Sequence, residues 1–246
     1  MSTPGSTGFS SMPSATLMRI RSAVLRMADK AAFDWRYGTE TSNFVANAVL
    51  RTSSANKPFG IEYQPTPTGE FRRMLREVPP PLDSLHFLDY GCGKGRTLLL
   101  AAQAGFRRIT GLDYAPDMVE IARRNIAIFQ PRVPGARMEV LAADAMEFEP
   151  PTGNCVLFFY NPFNEKVMAP VVQNLRRSQA AHPRQWYVML YNCSKCQHLF
   201  DDLQFLRPLA GRPRRRSWLT QTLCEWKVYG PSGAVAEGDQ GRPVIR

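Results

Sequence analysis

The stretch Phe87-Leu-Asp-Tyr-Gly-Cys-Gly-Lys-Gly95 decides how this chain folds. Apolar residues run straight into alternating glycines, and Arg96 to Gln103 then has the pattern of a helix. Strand, glycine turn and helix together form the first unit of a doubly wound α/β sheet. Glycine lets the main chain turn tightly and lets a ligand come close to it. The spacing narrows the choice of ligand. A G-x-G-x-x-G dinucleotide fingerprint counted from Gly91 needs its third glycine where Arg96 stands. The G-x-x-x-x-G-K-S/T loop that cradles a triphosphate is absent. The turn is therefore not patterned for a pyrophosphate or a triphosphate. A packing turn without any ligand is the plain alternative.

Downstream, strand and helix patterns alternate. His86 to Tyr90, Arg108 to Asp113, Arg137 to Leu141, Cys155 to Tyr160 and Gln185 to Tyr191 read as strands. Arg96 to Gln103, Pro116 to Gln130, Glu165 to Ser178 and Ser194 to Leu203 read as helices. That alternation predicts a mostly parallel sheet. Phe205 to Leu209 and Thr220 to Tyr229 follow with no helix between them. They predict an antiparallel pair closing the sheet, with Arg212-Pro-Arg-Arg-Arg216 in the loop at its tip. Upstream, Glu70 to Val78 reads as a helix stopped by Pro79 to Pro81.

Two acids belong with the turn. Asp113 ends the second strand, and in a doubly wound sheet a carboxylate there lies beside the glycine loop, where it can accept both hydroxyls of a ribose. Its plain alternative is a helix cap ahead of Pro116. Asp144, in Ala142-Ala-Asp-Ala-Met146, follows the third strand at the same edge of the sheet. An acid there can accept an exocyclic amine of adenine while Ala145 offers its N–H. A cap is again the alternative.

Taken together, Leu88-Asp-Tyr-Gly-Cys-Gly-Lys-Gly95, Asp113 and Asp144-Ala145 resemble the first three cofactor motifs of class I S-adenosylmethionine-dependent methyltransferases. The resemblance covers about Leu82 to Tyr191. Phe33-Asp-Trp-Arg-Tyr-Gly-Thr-Glu-Thr41, Tyr63-Gln-Pro-Thr-Pro67 and Phe158-Phe-Tyr-Asn-Pro-Phe163 are similar to a set found in uncharacterised bacterial members. The glycine loop is also similar to that of nucleosome-core lysine methyltransferases. The family implies a Rossmann-like, doubly wound, seven-stranded sheet ending in an antiparallel pair, here behind an N-terminal helical extension. It implies S-adenosyl-L-methionine as cofactor. Asp89 with the turn Gly91, Cys92, Gly93 and Gly95 would hold the methionine portion. Asp113, followed by Tyr114, would hold the ribose, and Asp144 with Ala145 the adenine. Tyr63 and Thr66 would cover the methionine end.

Tyr160-Asn-Pro-Phe163 follows the fourth strand, which puts Tyr160 and Asn161 at the reacting end of the donor. The segment resembles the Asn-Pro-Pro-aromatic signature of amine-directed methyltransferases, with one proline missing. A strand-ending Asn-Pro turn is the alternative. Tyr191 and Asn192 end the next strand and are candidates for the same pocket.

The chain has 246 residues and a formal charge of +10, which favours polyanionic partners. Ten Lys or Arg stand against three acids between Val171 and Gly230. The run Arg212 to Arg216 is a candidate patch for an acidic partner, or a solvated loop. The methyl acceptor stays open among protein, nucleic acid and small molecule. The competing function is a non-catalytic module that binds RNA or an acidic partner through the basic face. A nicotinamide oxidoreductase comes third.

Five cysteines, an odd number, do not suggest a disulfide framework. Cys193-Ser-Lys-Cys196 lacks the partners of a zinc site, and His86, His182 and His198 are scattered, so no metal is expected. Reduced thiols point to a cytoplasmic location, and no apolar run approaches a membrane span. Residues 1–14 read as a disordered tail. Leu17, Ile20, Val24 and Met27 then recur at helical spacing. The acid-free, Arg-containing composition of residues 1–28 equally resembles a transit peptide. The expected organisation is an extension and cofactor lid over 15–81, the methyltransferase domain over 82–232, and a flexible tail over 233–246.

Overall fold

The structure is a computed structural model that describes residues 31–46, 49–52, 57–216 and 223–232. The N-terminal tail, the Leu17 to Met27 helix and the C-terminal tail lie outside the described residues. The elements are α1 (31–37), α2 (Thr68–Leu75), β1 (His86–Tyr90), α3 (Arg96–Ala104), β2 (Arg108–Asp113), α4 (Pro116–Phe129) and β3 (Arg137–Ala142). They continue as β4 (Cys155–Tyr160), α5 (Glu165–Ala181), β5 (Trp186–Tyr191), α6 (Gln197–Asp201), β6 (Leu206–Arg216) and β7 (Leu223–Pro231).

The strands form one seven-stranded sheet in the order β3-β2-β1-β4-β5-β7-β6. β1 to β5 run parallel, and β7 is antiparallel to both β5 and β6. The central strands β4 and β5 are largely apolar because both of their faces are covered. Phe87, Val156 and Phe158 point to a core shared with α2, α3 and α4. Their neighbours Leu88, Leu157 and Phe159 point to a second core, under α5 and α6. That alternation is the two-residue period of a strand. The chain order reverses between β1 and β4. The crevice outside the carboxyl ends of these strands is the switch point where ligands bind in open α/β sheets.

The closing pair differs from expectation. β6 does not stop near Leu209 but continues through the arginine run to Arg216, with register shifts at Pro208/Ala210 and Arg212/Arg215. Arg212 to Arg216 is thus strand rather than loop. Two prolines argue against an inner strand, yet β6 lies at the sheet's edge, where a missing N–H faces outward without cost to the ladder. Arg212 is also not free for a partner, because its Nη1 lies 3.1 Å from Glu70 Oε1 on α2. The helix expected over Ser194 to Leu203 shortens to Gln197–Asp201, preceded by a turn in which Cys196 N–H bonds Cys193 O. α2 starts two residues earlier than expected, with Pro67 at its N-cap, and ends at Leu75.

Candidate active site

The turn after β1 is shaped by what stands over it. Gly93 has φ +52°, and a Cβ there would fall 2.1 Å from the Tyr63 ring. No side chain fits between them, so Tyr63 lies directly on the main chain of the turn. Gly95, also at positive φ, plays another role. It caps α3, and its missing Cβ leaves room for Ala122 at 3.2 Å. Gly95 does not border the cleft, unlike the other residues expected to bind cofactor. Its place is in helix packing.

The acids converge. Asp113 Oδ2 accepts from Gly93 N–H and Oδ1 from Ala115 N–H, each at 2.9 Å. The carboxylate therefore shapes the turn and caps α4 at once, and each oxygen keeps a lone pair for a ligand hydroxyl. Thr97 donates to Asp89 Oδ2. Burial pushes Asp89 up to about 7 and Asp113 up to about 6. Asp144 Oδ1 accepts from Met146 N–H at 2.9 Å, forming a local turn. Asp89, Asp113 and Asp144 line one cleft of about 900 Å³, measured with its open mouth. Gly91, Cys92, Tyr114 and Ala145 border it as well.

The roof comes from the N-terminal segment, which is strapped to the domain. Asp34 accepts from Thr39 and Thr41 and from the N–H of Ser42, folding residues 34–42 into a compact loop. Arg96 is buried under that loop. It donates to Thr41 Oγ1 at 3.1 Å and Thr68 Oγ1 at 3.2 Å and lies 4.4 Å over the Phe33 ring. Lys94 Nζ pairs with Glu40 at 2.8 Å, and Asn125 Oδ1 accepts from Glu40 N–H. Tyr63 OH donates to Thr41 O at 2.7 Å, tying the roof to the strap. Tyr63 and Thr66 both line the cleft.

At the carboxyl ends of β4 and β5, Asn161 and Asn192 stand at φ +40° and +52°. Asparagine tolerates this left-handed region better than other non-glycine residues. Asn161 N–H points at Cys193 Sγ at 3.1 Å. Its carboxamide makes no hydrogen bond among the described residues. Tyr160 OH lies 3.3 Å from Gln64 Oε1, and its ring meets Tyr191 edge-on at 4.7 Å. Beyond them a second, more open groove continues from the cleft. It includes Asn192, Ser194, Lys195, Glu165 and Glu225. Tyr191 itself is buried and belongs to the core.

Sequence reasoning missed Arg96, Thr97 and Glu62 as lining residues. Thr97 was findable, since the first turn of α3 starts directly above the end of β1 and its second residue carries a hydroxyl. Arg96 was noted only as the residue that breaks the dinucleotide pattern. Glu62 carried no local signal at all.

The comparisons agree with this geometry. Residues 87–180 match the methyltransferase domain family. A ribosomal protein L11 methyltransferase of Burkholderia mallei is 53% identical over 38 residues, 15% of this chain and 13% of that protein. Aklanonic acid methyltransferase DauC of Streptomyces sp. (strain C5) is 35% identical over 82 residues, 32% of this chain and 36% of that protein. The chain thus spans about an eighth to a third of the length of these curated relatives. A candidate RNA methyltransferase from Pyrococcus horikoshii, PH1948, superposes with a TM-score of 0.51 at 12% identity, covering 93% of this chain and all of that one (100%). The cleft thus lies at the switch point of a fold shared with PH1948, within the stretch 87–180 that is similar in sequence to the methyltransferase domain family.

Proposed function

We propose that this protein is an S-adenosylmethionine-dependent methyltransferase that acts on an amine nitrogen. One observation carries the donor half: Asp89, Asp113 and Asp144 line a single cleft above the 91–95 turn. The residues suit the donor. Asp113 keeps an acceptor site on each oxygen for a ribose diol. Asp144 and Ala145 stand at the far end for the adenine, and Asp89 for the methionine ammonium. Tyr63, set on Gly93, closes the methionine end.

When bound, the donor supplies a methyl carbon on a positively charged sulfur. The protein's part is to align a nucleophile with that carbon and to exclude water. Tyr160 and Asn161 supply the near wall, where the Asn161 carboxamide, which makes no hydrogen bond among the described residues, would accept an N–H of the acceptor. Orientation of this kind reduces the entropy lost on the way to an in-line displacement.

The test is calorimetric titration with S-adenosylmethionine. The wild type binds, and Asp113→Ala binds at least about 100-fold more weakly, as expected for losing two hydrogen bonds to a charged group at about 1.5–3 kcal/mol each. A wild type that takes up no donor sinks the proposal. A tritiated methyl-transfer assay on cell extract, split into protein, nucleic acid and metabolite fractions, places the acceptor. Label in metabolites or protein supports an amine. Label confined to nucleic acid turns attention to the base edges instead.

A further inference from the structure

The cleft and the open groove share Ile61, Glu62, Gln64, Tyr160, Asn161 and Phe163. Where they meet, a reacting atom would face the donor from one side and stay joined to the rest of the acceptor on the other. Glu62 is the single acid at this junction. The acids lining only the cleft or only the groove are engaged elsewhere. Thr97 occupies Asp89, main-chain N–H groups occupy Asp113 and Asp144, His198 lies 3.3 Å from Glu165, and Glu225 Oε1 accepts Ser194 N–H. Glu62 has no hydrogen bond or ion pair among the described residues.

Its position is nonetheless set. Gly60 bridges Phe163 antiparallel, Ile61 N–H donates to Pro162 O at 3.3 Å, and Asn164 N–H donates to Phe59 O at 3.0 Å. All three contacts obey one register, and carrying it one residue further puts Glu62 beside Asn161. On its other side Tyr63 is held by Val45, whose main chain it pairs with at 2.9 Å. Glu62 is therefore a carboxylate without a hydrogen-bond or ion-pair partner among the described residues, set between two anchored neighbours at the point where the donor's methyl group is expected.

We infer that Glu62 is the cation-recognising residue of the acceptor site, and that the acceptor is a primary alkyl amine carried on a flexible stem. This rests on the methyltransferase reading above. The chemistry fits the charge flow. The ammonium first loses a proton to the solvent of the open groove. The nitrogen lone pair then forms the N–C bond while the C–S bond breaks, and that electron pair stays on sulfur. Positive charge thus leaves sulfur and appears on nitrogen. A carboxylate beside the nitrogen stabilises the bond-making state and holds the incoming ammonium. A phosphate-rich acceptor is repelled at this point, whatever the basic surface does elsewhere.

The test uses Nα-acetyl-lysine methylamide as probe and its Nε-acetylated form as the neutral control. Binding is followed by saturation-transfer NMR or calorimetry, with and without S-adenosylhomocysteine. Wild type binds the cationic probe at least tenfold more tightly than the neutral one, and Glu62→Gln loses that discrimination. S-adenosylhomocysteine affinity of Glu62→Gln stays within about twofold of wild type, which shows that the fold and donor cleft are intact. In transfer assays the variant loses more through KM for the amine than through KM for the donor. Equal binding of both probes by wild type, or unchanged discrimination in Glu62→Gln, overturns the inference. Failure of S-adenosylhomocysteine to bind wild type overturns the methyltransferase reading instead, and the probe titrations made without it still decide on Glu62.

Discussion

The donor cleft and the acceptor groove touch the same residues at Asn161 and Glu62, but they are made of different material. Two of the cleft's acids, Asp89 and Asp113, sit on strands and are buried, each 8% exposed or less, and Asp144 follows β3 half-buried. Their partners are nearby in the chain or across one strand. The groove is drawn from four separate places: the 61–64 segment, the ends of β4 and β5, the start of α5, and Glu225 on β7. Its carboxylates are solvated. A site buried on rigid strands suits one unvarying ligand, whereas an open, loop-built wall suits recognition. Changes on one side should therefore leave the other side nearly intact.

The largest break in that contrast is expected at Gly93. A methyl group there meets the Tyr63 ring at 2.1 Å, so Gly93→Ala must evict the roof. Donor affinity should fall at least 100-fold by calorimetry, with only a modest loss of thermal stability. Next comes Asp89, whose burial lifts it to about 7, with Asp113 at about 6. The unfolded chain releases those protons near 4. The stability these groups contribute is full below pH ~4 and is lost as pH rises through about 6–7. Asp89→Asn should raise the melting temperature at pH 8 and leave it unchanged at pH 4. Donor affinity should run the other way. In the wild type it falls as pH drops through about 7, and in Asp89→Asn it is low and nearly flat. The smallest effect is expected at Asn161. Asn161→Ala should lower kcat/KM for the acceptor about tenfold, near 1.4 kcal/mol, with donor binding unchanged. Weakened donor binding there would show that the two halves are not separable.

The donor half was open to sequence reasoning because its signals are local. A strand running into Gly91 and Gly93, followed 20 residues after Gly93 by Asp113, reports one geometric unit, and the structure joins them through a single hydrogen bond. Gly95 was grouped with its neighbours for the same local reason: spacing along a turn does not tell which glycine faces the cleft and which faces Ala122. The arginine run was placed in a loop because it lies between the two apolar runs Phe205 to Leu209 and Thr220 to Tyr229, and a polar edge strand leaves no apolar pattern to read. Arg96 and Glu62 were invisible because their meaning depends on contacts far along the chain. Arg96 needs Thr41, 55 residues away, and Glu62 needs the register that begins at the Gly60–Phe163 bridge.

The strap has a consequence for how the molecule is made. Residues 33–66 leave the ribosome before the groups that receive them. Glu40 waits for Asn125, 85 positions later, and Gly60 for Phe163. Residues 39–41 can meet Lys94, Arg96 and Asn125 once α4 is made, but residues 59–61 have nothing to pair with until the chain beyond β4 has emerged. Long loops closed late are slow steps in folding. Assembly of the sheet must thus precede completion of the donor cleft, and a nascent chain stopped short of Phe163 has a nearly complete glycine turn but no roof to hold a ligand against it.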